Sequence, residues 1–465
     1  MWLMISKRFR TETMWRMPRA SSPWLLLLPL FVQACDQVDQ IQNDFRELTP
    51  HEAYFESLSA VGLAETALGA EWASVAATAL SHAPSVALPF VEEGFLFAET
   101  PEARSYRVGL RRGQRLSIDV TLEGNEPARV FVDVYRLPAD ASLSPLPVLS
   151  SESDSENLEY VSTRQADYVV RLQPELLRGG RYRINLRVAA SLAFPVQGRS
   201  ARAILSVFGD DRDGGRRQHR GVDIFAPRGT PVLSATDGRV SRVRTTPVGG
   251  KVVWVNDSEQ PQRIYYAHLD SQVVRAGAIV KRGDLLGMVG NTGNARTTPP
   301  HLHFSVYQSR RGAVDPYYFV YQPAGRLPDA SAPLDHLGTW TRTINEGIRL
   351  RSSPSRRSTV VAELEEHTPL RVLAATGSWY RVRLPDGQDG FVAARLTEAT
   401  NLPLRNQVIA TASDLVSAPS LTAPVMESVE AGTGVSVLGA FDGFLYVQSP
   451  RGYTGWMAQD SGLNY

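Results

Sequence analysis

The chain has 465 residues, of which 43% are hydrophobic and 21% charged, and this ordinary globular composition excludes a wholly disordered protein. At roughly 100–200 residues per domain, the length predicts three or four domains. The 49 basic and 48 acidic side chains leave a net charge of +1, which excludes recruitment of nucleic acid by an overall positive field. The single cysteine excludes an intrachain disulfide framework and any zinc site built on two thiolates.

The N-terminal segment, residues 1–34, has the pattern of an export signal. Basic residues precede an apolar run over residues 24–32, far shorter than the ~20 residues that a membrane-spanning helix needs. The next stretch, Gln33-Ala34-Cys35, resembles the end of a bacterial lipoprotein signal, which implies lipidation of Cys35. The alternative is a plain secretory signal with an incidental thiol. Asp36 resembles an inner-membrane retention signal of some bacteria, so the choice of membrane stays open.

Residues 35–99 are predicted to be a helical segment, because apolar residues recur at three- and four-residue spacing between positions 43 and 82. His51-Glu52 begins like the helical zinc motif H-E-x-x-H, but position 55 is Phe. We therefore expect His51 and Glu52 to be surface residues at the start of a helix.

Residues 100–207 are predicted to form a β-sandwich. Apolar residues alternate with polar ones in short runs such as 116–120, and turn signals such as Arg112-Gly113 separate the runs. Residues 140–157 are rich in Ser and Pro and are predicted to be a loop. This region has no catalytic constellation.

Residues 208–322 contain the candidate metal-binding and catalytic side chains. His219 and Asp223 form an H-x-x-x-D element, and His301 and His303 form an H-x-H element that begins a predicted strand. Residues two apart on a strand share a face, so His301 and His303 point the same way. His219 and Asp223 are four apart, so they also lie on one side if the chain between them is extended. A catalytic zinc site has three protein ligands and an open position. The four side chains can therefore supply three ligands and one spare histidine.

The same stretch resembles the lysostaphin-type (LytM-like) zinc metallopeptidases, which cut peptide bonds in peptidoglycan. The matching segments are residues 215–224, 226–232, 238–240, 266–269, 280–284, 287–293 and 300–304. The resemblance implies a compact, mostly antiparallel β-sheet domain with a groove on one face. It also implies that Zn²⁺ is held by His219, Asp223 and His303.

Two further histidines receive catalytic roles from this resemblance. His301 stands beside the ligands as general base, and His268 faces the metal, where it holds the water or stabilises the tetrahedral intermediate. The division of labour between them stays open. Ser305 lies where relatives often carry an acidic residue, which leaves the polarity of the groove open. We expect His82, His336 and His367 to be structural.

Residues 323–338 are predicted to be a linker, followed by two related domains at 339–398 and 404–465. Matching residues recur at a constant offset, as in Pro354 with Pro419 (419 − 354 = 65) and Phe391 with Trp456 (456 − 391 = 65). The first copy resembles a bacterial SH3-type barrel, a family that often targets peptidoglycan. The alternative is that one or both copies are structural or bind another partner.

The sequence thus predicts a mostly β, multidomain protein with a metallopeptidase domain, a helical segment, a β-sandwich and two SH3-like barrels. The predicted function is a cell-envelope zinc metalloendopeptidase that hydrolyses peptide bonds in peptidoglycan cross-links. We expect it on the periplasmic side, anchored to a membrane by its N-terminal lipid, with no nucleic-acid partner. The alternative is a non-catalytic peptidoglycan-binding regulator or activator of other wall hydrolases. A further hypothesis is that the helical and sandwich regions cover the groove until the wall is contacted.

Overall fold

The structure is a computed structural model that describes residues 46–124, 126–152, 157–212, 214–309, 311–323, 325–329 and 331–459. The predicted export signal at 1–34 and the predicted lipidation site Cys35 lie outside the described residues. Among the residues that it describes, no helix has both the length and the apolar character that a bilayer crossing requires.

Two helices open the described chain, and a threonine caps each of them. The Thr49 hydroxyl accepts a hydrogen bond from the Glu52 amide, and the Glu52 carboxylate accepts one from the Thr49 amide. Thr66 caps the second helix by accepting from the Gly69 amide. These bonds satisfy amides that have no partner inside a helix. The helices are α1 (Pro50–Ala60) and α2 (Ala67–Ser81).

His51 corrects one prediction, because its side chain is buried in the first turn of α1 and is only 6% exposed. Its ring stacks on Trp72 of α2 with 4.4 Å between ring centroids. Its Nε2 donates to the side-chain oxygen of Gln173, 2.7 Å away. The predicted surface position is wrong because the first turn of α1 packs against the next domain.

Eight strands form the sandwich: β1 (Phe90–Leu96), β2 (Arg104–Leu110), β3 (Gln114–Glu123), β4 (Val130–Arg136), β5 (Leu146–Glu152), β6 (Leu158–Val161), β7 (Ala166–Pro174) and β8 (Gly180–Ala190). They lie in the orders β1-β8-β3-β6 and β2-β7-β4-β5. Alternate residues of β3, such as Leu116 and Ile118, point into a core shared with Tyr106 and Val132.

Two strands of the sandwich lie where the sequence predicts something else. β1 falls within residues 35–99, predicted to be helical, and it pairs with β8 over its whole length. β5 interrupts the loop predicted for residues 140–157 and joins the edge of a sheet beside β4. In both places the partner strand, rather than local composition, decides the backbone conformation.

The next domain is built on a long antiparallel sheet. Its elements are β9 (Ile204–Ser206), β10 (Asp211–Arg212), β11 (Arg217–Gln218), β12 (Val222–Phe225), β13 (Pro231–Leu233), β14 (Gly238–Thr246), β15 (Gly250–Asp257), β16 (Gln262–Leu269), β17 (Ser271–Gln272), β18 (Ile279–Val280), β19 (Leu285–Met288), β20 (His301–Gln308), β21 (Gly312–Val314) and the short helix α3 (Tyr317–Val320). The main sheet has the order β18-β14-β15-β16-β20-β12-β9, with β21 beside β20.

Alternation along β20 and β12 decides which side chains reach the face that carries the site. Leu302, Phe304 and Val306 of β20 are fully buried in the core of this domain. Successive side chains of a strand point to opposite faces, so His301 and His303 point away from that core. Asp223 likewise lies between the core residues Val222 and Ile224 on β12.

The second half of the predicted linker, residues 323–338, is part of a folded domain. Ala332 and Leu337 are buried in the core of the barrel that follows. The Gly338 amide donates to the Val372 carbonyl at 2.8 Å. The linker prediction is wrong there because the apolar residues pack onto strands that come later in the chain.

The C-terminal strands repeat with the periodicity seen in the sequence. The first set is β22 (Trp340–Thr343), β23 (Ile348–Arg351), β24 (Val360–Leu364), β25 (Pro369–Thr376), β26 (Trp379–Arg383), β27 (Asp389–Ala393) and β28 (Thr397–Ala399). The second set is β29 (Arg405–Val408), β30 (Ser413–Val416), β31 (Val425–Val429), β32 (Gly434–Phe441), β33 (Phe444–Gln448) and β34 (Thr454–Ala458). Each strand from β29 to β34 starts and ends 65 residues after one from β22 to β27, as in 434 − 369 = 65 and 441 − 376 = 65.

The first barrel and the sandwich share one continuous sheet, because β25 pairs with β1. Beside this junction, the fully buried carboxylate of Glu92 accepts hydrogen bonds from the hydroxyls of Tyr106 and Tyr182, each at 2.7 Å. Arg381 of β26 lies 3.3 Å from the same oxygen. Paired strands and a buried charge cluster therefore join these two domains.

Candidate metal centre

Strand pairing brings the predicted ligands together. Asp223 of β12 lies directly opposite His303 of β20 in the register of the two strands. Ala267 of β16 lies opposite His303 on the other side, so His268 follows at the end of β16. His219 comes from the loop just before β12. The centre of the site is therefore held by three neighbouring strands.

Three side-chain atoms meet at one point of this face. Nε2 of His219 lies 3.0 Å from Oδ1 of Asp223, and Nδ1 of His303 lies 2.9 Å from the same oxygen. The two imidazole nitrogens are 3.0 Å apart. Ligand atoms in a tetrahedral zinc site, with bonds of about 2.0–2.1 Å, are separated by about 3.3 Å. The triangle is therefore close to the size that zinc requires.

Hydrogen bonds on the outer side of the rings decide which nitrogens face the centre. Nδ1 of His219 lies 2.8 Å from the carbonyl oxygen of Val207, and a carbonyl only accepts, so this nitrogen carries the proton. Nε2 of His303 lies 3.0 Å from the Ser305 hydroxyl, which can accept its proton. Both inner nitrogens then present lone pairs, as the outer partners of metal-bound histidines commonly arrange.

Asp223 is held as a carboxylate with one oxygen left for the centre. Burial disfavours its charge, but its contacts with the rings of His219 and His303 outweigh burial and hold its pKa well below the usual range. Its second oxygen, Oδ2, accepts from the Arg212 guanidinium at 2.8 Å. Burial lowers the pKa of His303, which favours its neutral form.

This donor set fits a zinc ion. It consists of two neutral imidazole nitrogens and one carboxylate oxygen, which are the nitrogen and oxygen ligands that zinc takes in catalytic sites. His219, Asp223 and His303 are also a group of described residues whose candidate ligand atoms all lie within 4.8 Å of one another. With their outer nitrogens protonated, the two rings and the carboxylate direct three lone pairs at one point, which suits a cation.

His301 and His268 stand beside this triangle with their rings 5.1 Å apart. Nδ1 of His301 donates to the Pro299 carbonyl at 2.8 Å, and Nδ1 of His268 donates to the Thr292 carbonyl at 2.9 Å. Each ring therefore keeps Nε2 unprotonated in its neutral form. Nε2 of His301 lies 3.9 Å from Oδ1 of Asp223.

His268 is held in a constrained backbone conformation. Its φ angle is +62°, in the left-handed region that residues other than glycine seldom adopt. Such outliers concentrate at functional sites, where the surrounding structure imposes them. Burial, together with the neighbouring His303 and His301, lowers the pKa of His268 to about 4, so its ring is neutral at physiological pH.

Arg212 is a site residue that the sequence did not reveal. It reaches Asp223 from the β10–β11 hairpin, and its guanidinium also donates to the Ser206 hydroxyl. No spacing rule relates an arginine in a hairpin to a carboxylate on another strand. Only the tertiary fold brings the two side chains together.

The site opens into a groove of about 1180 Å³ whose described lining residues all lie between Ser206 and Ala313. One side carries the aromatic rings of Trp254, Tyr265 and Tyr307. In this structure the described residues of the helices and the sandwich do not line the groove.

Comparison with known families identifies the domain that carries the site. Residues 217–316 match the model of peptidase family M23. This region is an M23 peptidase domain. Residues 346–398 match the model of the bacterial SH3 domain and form the first barrel. The predicted LytM-like peptidase and SH3 resemblances are therefore confirmed.

Relatives of the M23 domain include peptidoglycan endopeptidases. The L-Ala--D-Glu endopeptidase of Bacillus subtilis (strain 168) is 34% identical over 158 residues, covering 32% of this chain and 44% of that protein. Peptidoglycan DD-endopeptidase ShyB of Vibrio cholerae serotype O1 is 41% identical over 93 residues, covering 20% of this chain and 21% of that protein. The chain thus spans less than half the length of these relatives.

Among solved structures, a zinc containing peptidase from Vibrio cholerae is 33% identical to this chain. The match covers 30% of this chain and 41% of that one, with a TM-score of 0.25.

Proposed function

We propose that this protein is a zinc metalloendopeptidase that hydrolyses peptide bonds in peptidoglycan cross-links. The observation that carries the proposal is the convergence of His219 Nε2, Asp223 Oδ1 and His303 Nδ1 within about 3 Å of one another in a groove. The M23 domain and its peptidoglycan-cleaving relatives support the substrate class.

We assign His219, Asp223 and His303 as the zinc ligands. Bound zinc supplies Lewis-acid activation of a water molecule and of the scissile carbonyl group. The outer hydrogen bonds of His219 and His303 orient both rings so that an unprotonated nitrogen of each faces the site. Arg212 keeps the second oxygen of Asp223 engaged, so that Oδ1 alone faces the metal position.

His301 acts as the general base in this proposal. Its Nδ1 proton is committed to the Pro299 carbonyl, which leaves Nε2 to take a proton from the attacking water. The protonated ring then returns that proton to the leaving amine. Imidazole suits both steps because its ring nitrogen can accept a proton and then donate it.

His268 holds the water rather than the oxyanion. Its Nδ1 donates to the Thr292 carbonyl and its pKa of about 4 keeps the ring neutral, so Nε2 has no proton to donate. A lone pair accepts a hydrogen bond from water but repels a developing negative charge. His268 and His301 therefore have different roles in this proposal.

The remaining domains place the enzyme at its substrate. The resemblance of the first barrel to bacterial SH3 domains supports binding to peptidoglycan, and we extend that role to the second barrel. Lipidation of Cys35 would anchor the protein to a membrane on the periplasmic side of the cell envelope. The partners in this proposal are peptidoglycan and that membrane.

Digestion of purified peptidoglycan, with mass spectrometry of the released muropeptides, tests the proposal. The zinc-loaded parent protein is expected to deplete cross-linked species, and His301→Ala is expected to lower the rate by about 10²–10⁴-fold. His82→Ala is the matched control, because His82 is an exposed histidine outside the groove. Wall binding by the parent without any release of fragments would favour the regulator instead.

A further inference from the structure

The groove beside the M23 centre has a strong excess of positive charge. Its lining contains a single described carboxylate, Asp223, whose oxygens are already engaged by His219, His303 and Arg212. Five arginines line the same groove: Arg212, Arg216, Arg217, Arg220 and Arg311. A low-dielectric groove with one sign of charge concentrates ligands of the opposite sign.

Two of these arginines differ from the other three, which have partners within the protein. Arg220 directly follows the ligand His219, and Arg311 lies in the turn between β20 and β21. Both are exposed, and neither side chain has a hydrogen-bond or ion-pair partner among the residues that the structure describes. Arg212, in contrast, is already engaged by Asp223.

Aromatic rings lie beside these arginines on one side of the groove. Tyr307 shares a face of β20 with His303 and lies four residues further on, about 13 Å along the strand. Its ring packs against Trp254 with 5.1 Å between centroids. Burial raises the pKa of Tyr307, and the charges of Arg220 and Arg263 oppose that rise.

We propose that Arg220 and Arg311 form a carboxylate-binding subsite, and that the substrate is a peptide with a free carboxylate within a few residues of the scissile bond. Guanidinium groups recognise carboxylates through paired, charge-assisted hydrogen bonds. A neutral bridge between stem peptides lacks that contact. This inference rests on the proposed function and specifies its substrate class.

Two synthetic branched peptides that differ in one group test the subsite. One carries a free carboxylate beside the cleaved bond, and the other carries a carboxamide at that position. The parent is expected to cleave the carboxylate peptide with a kcat/KM about 10-fold higher, as one charge-assisted contact allows. Arg220→Gln and Arg311→Gln are each expected to lose about 10-fold on the carboxylate peptide through KM, and to match the parent on the carboxamide.

Arg275→Gln is the matched control, because Arg275 is an exposed arginine of the same domain outside the groove lining. Equal cleavage of both peptides by the parent would overturn the subsite while leaving the peptidase proposal intact. Equal losses on both peptides in the two groove variants would also overturn it. If the zinc-loaded parent cleaves neither peptide and releases no fragments from peptidoglycan, the proposed function fails with it.

Discussion

The molecule has two places where a histidine is buried, and they differ in what surrounds the ring. In the M23 domain, Nε2 of His219 and Nδ1 of His303 lie 3.0 Å and 2.9 Å from Oδ1 of Asp223. In the helical segment, His51 stacks on Trp72 and gives its Nε2 proton to the neutral amide of Gln173. Burial is similar, since His219 is 5% exposed and His51 is 6% exposed.

The difference shows that convergence of ligand atoms, rather than burial, distinguishes the candidate metal centre. The polar contact of His51 lies entirely within the protein, because its Nε2 donates to Gln173 and its ring packs against aromatic side chains such as Phe131. At the M23 centre, two imidazole nitrogens and one carboxylate oxygen converge on a single point, an arrangement that suits a cation.

The largest effect is expected from His303→Ala. Removal of one of three ligands should abolish stoichiometric zinc binding and lower peptidoglycan hydrolysis by about 10³-fold or more. His51→Ala should leave zinc content and hydrolysis at the level of the parent. Metal analysis and muropeptide release are measured for both variants. Retention of zinc by His303→Ala would show that His303 is not a required ligand.

The next effect concerns pH and stability at His51. Burial first, and the charge of Arg171 second, lower its pKa to about 4 from the ordinary 6.5. Between these two pKa values the unfolded chain binds more protons than the folded one. The contribution of neutral His51 to the free energy of unfolding is therefore complete above pH 6.5, and it is lost as the pH falls toward 4. A shift of this size corresponds to about 3 kcal/mol.

Denaturant unfolding of the metal-free protein at pH 7 and pH 4 measures this contribution, with His51→Leu as comparison. The difference between parent and variant removes the titration of the other histidines, including His268. The stability of the parent should fall by about 3 kcal/mol more than that of the variant. Parallel pH profiles would show that His51 is not buried in its neutral form.

A smaller effect is expected from Arg212→Gln. Loss of the guanidinium frees Oδ2 of Asp223 and loosens the orientation of the ligand oxygen. Changes to such outer partners typically weaken metal binding by about 10–100-fold. Zinc affinity measured by competition with a chelator tests this expectation, and Arg275→Gln is the control. Unchanged zinc affinity would show that Arg212 does not orient Asp223 for metal binding.

The sequence predicted the M23 domain because its motifs consist of short, regular spacings. His301 and His303 lie two apart on a strand, and antiparallel pairing then places Asp223 opposite His303. The family is confirmed, and the roles of the individual ligands and bases stay predictions. The His219 ring is positioned by a hydrogen bond to the Val207 carbonyl, and the spacing of the motif alone does not predict that contact.

The wrong predictions share one physical cause, which is contact between residues distant in the chain. His51 meets Gln173, 122 positions away, and no local pattern signals that meeting. β1 is extended because β8 and β25 flank it. Leu337 is buried because later strands of the first barrel cover it. Tertiary packing overrides local composition in each case.

Anomalous X-ray diffraction at the zinc edge, from crystals of the zinc-loaded protein, shows whether His219, Asp223 and His303 hold the metal. One peak is expected in the groove, within about 2.0–2.2 Å of His219 Nε2, Asp223 Oδ1 and His303 Nδ1, with Nε2 of His301 and His268 outside bonding distance. A peak elsewhere, or the absence of a peak from fully loaded crystals, would contradict it.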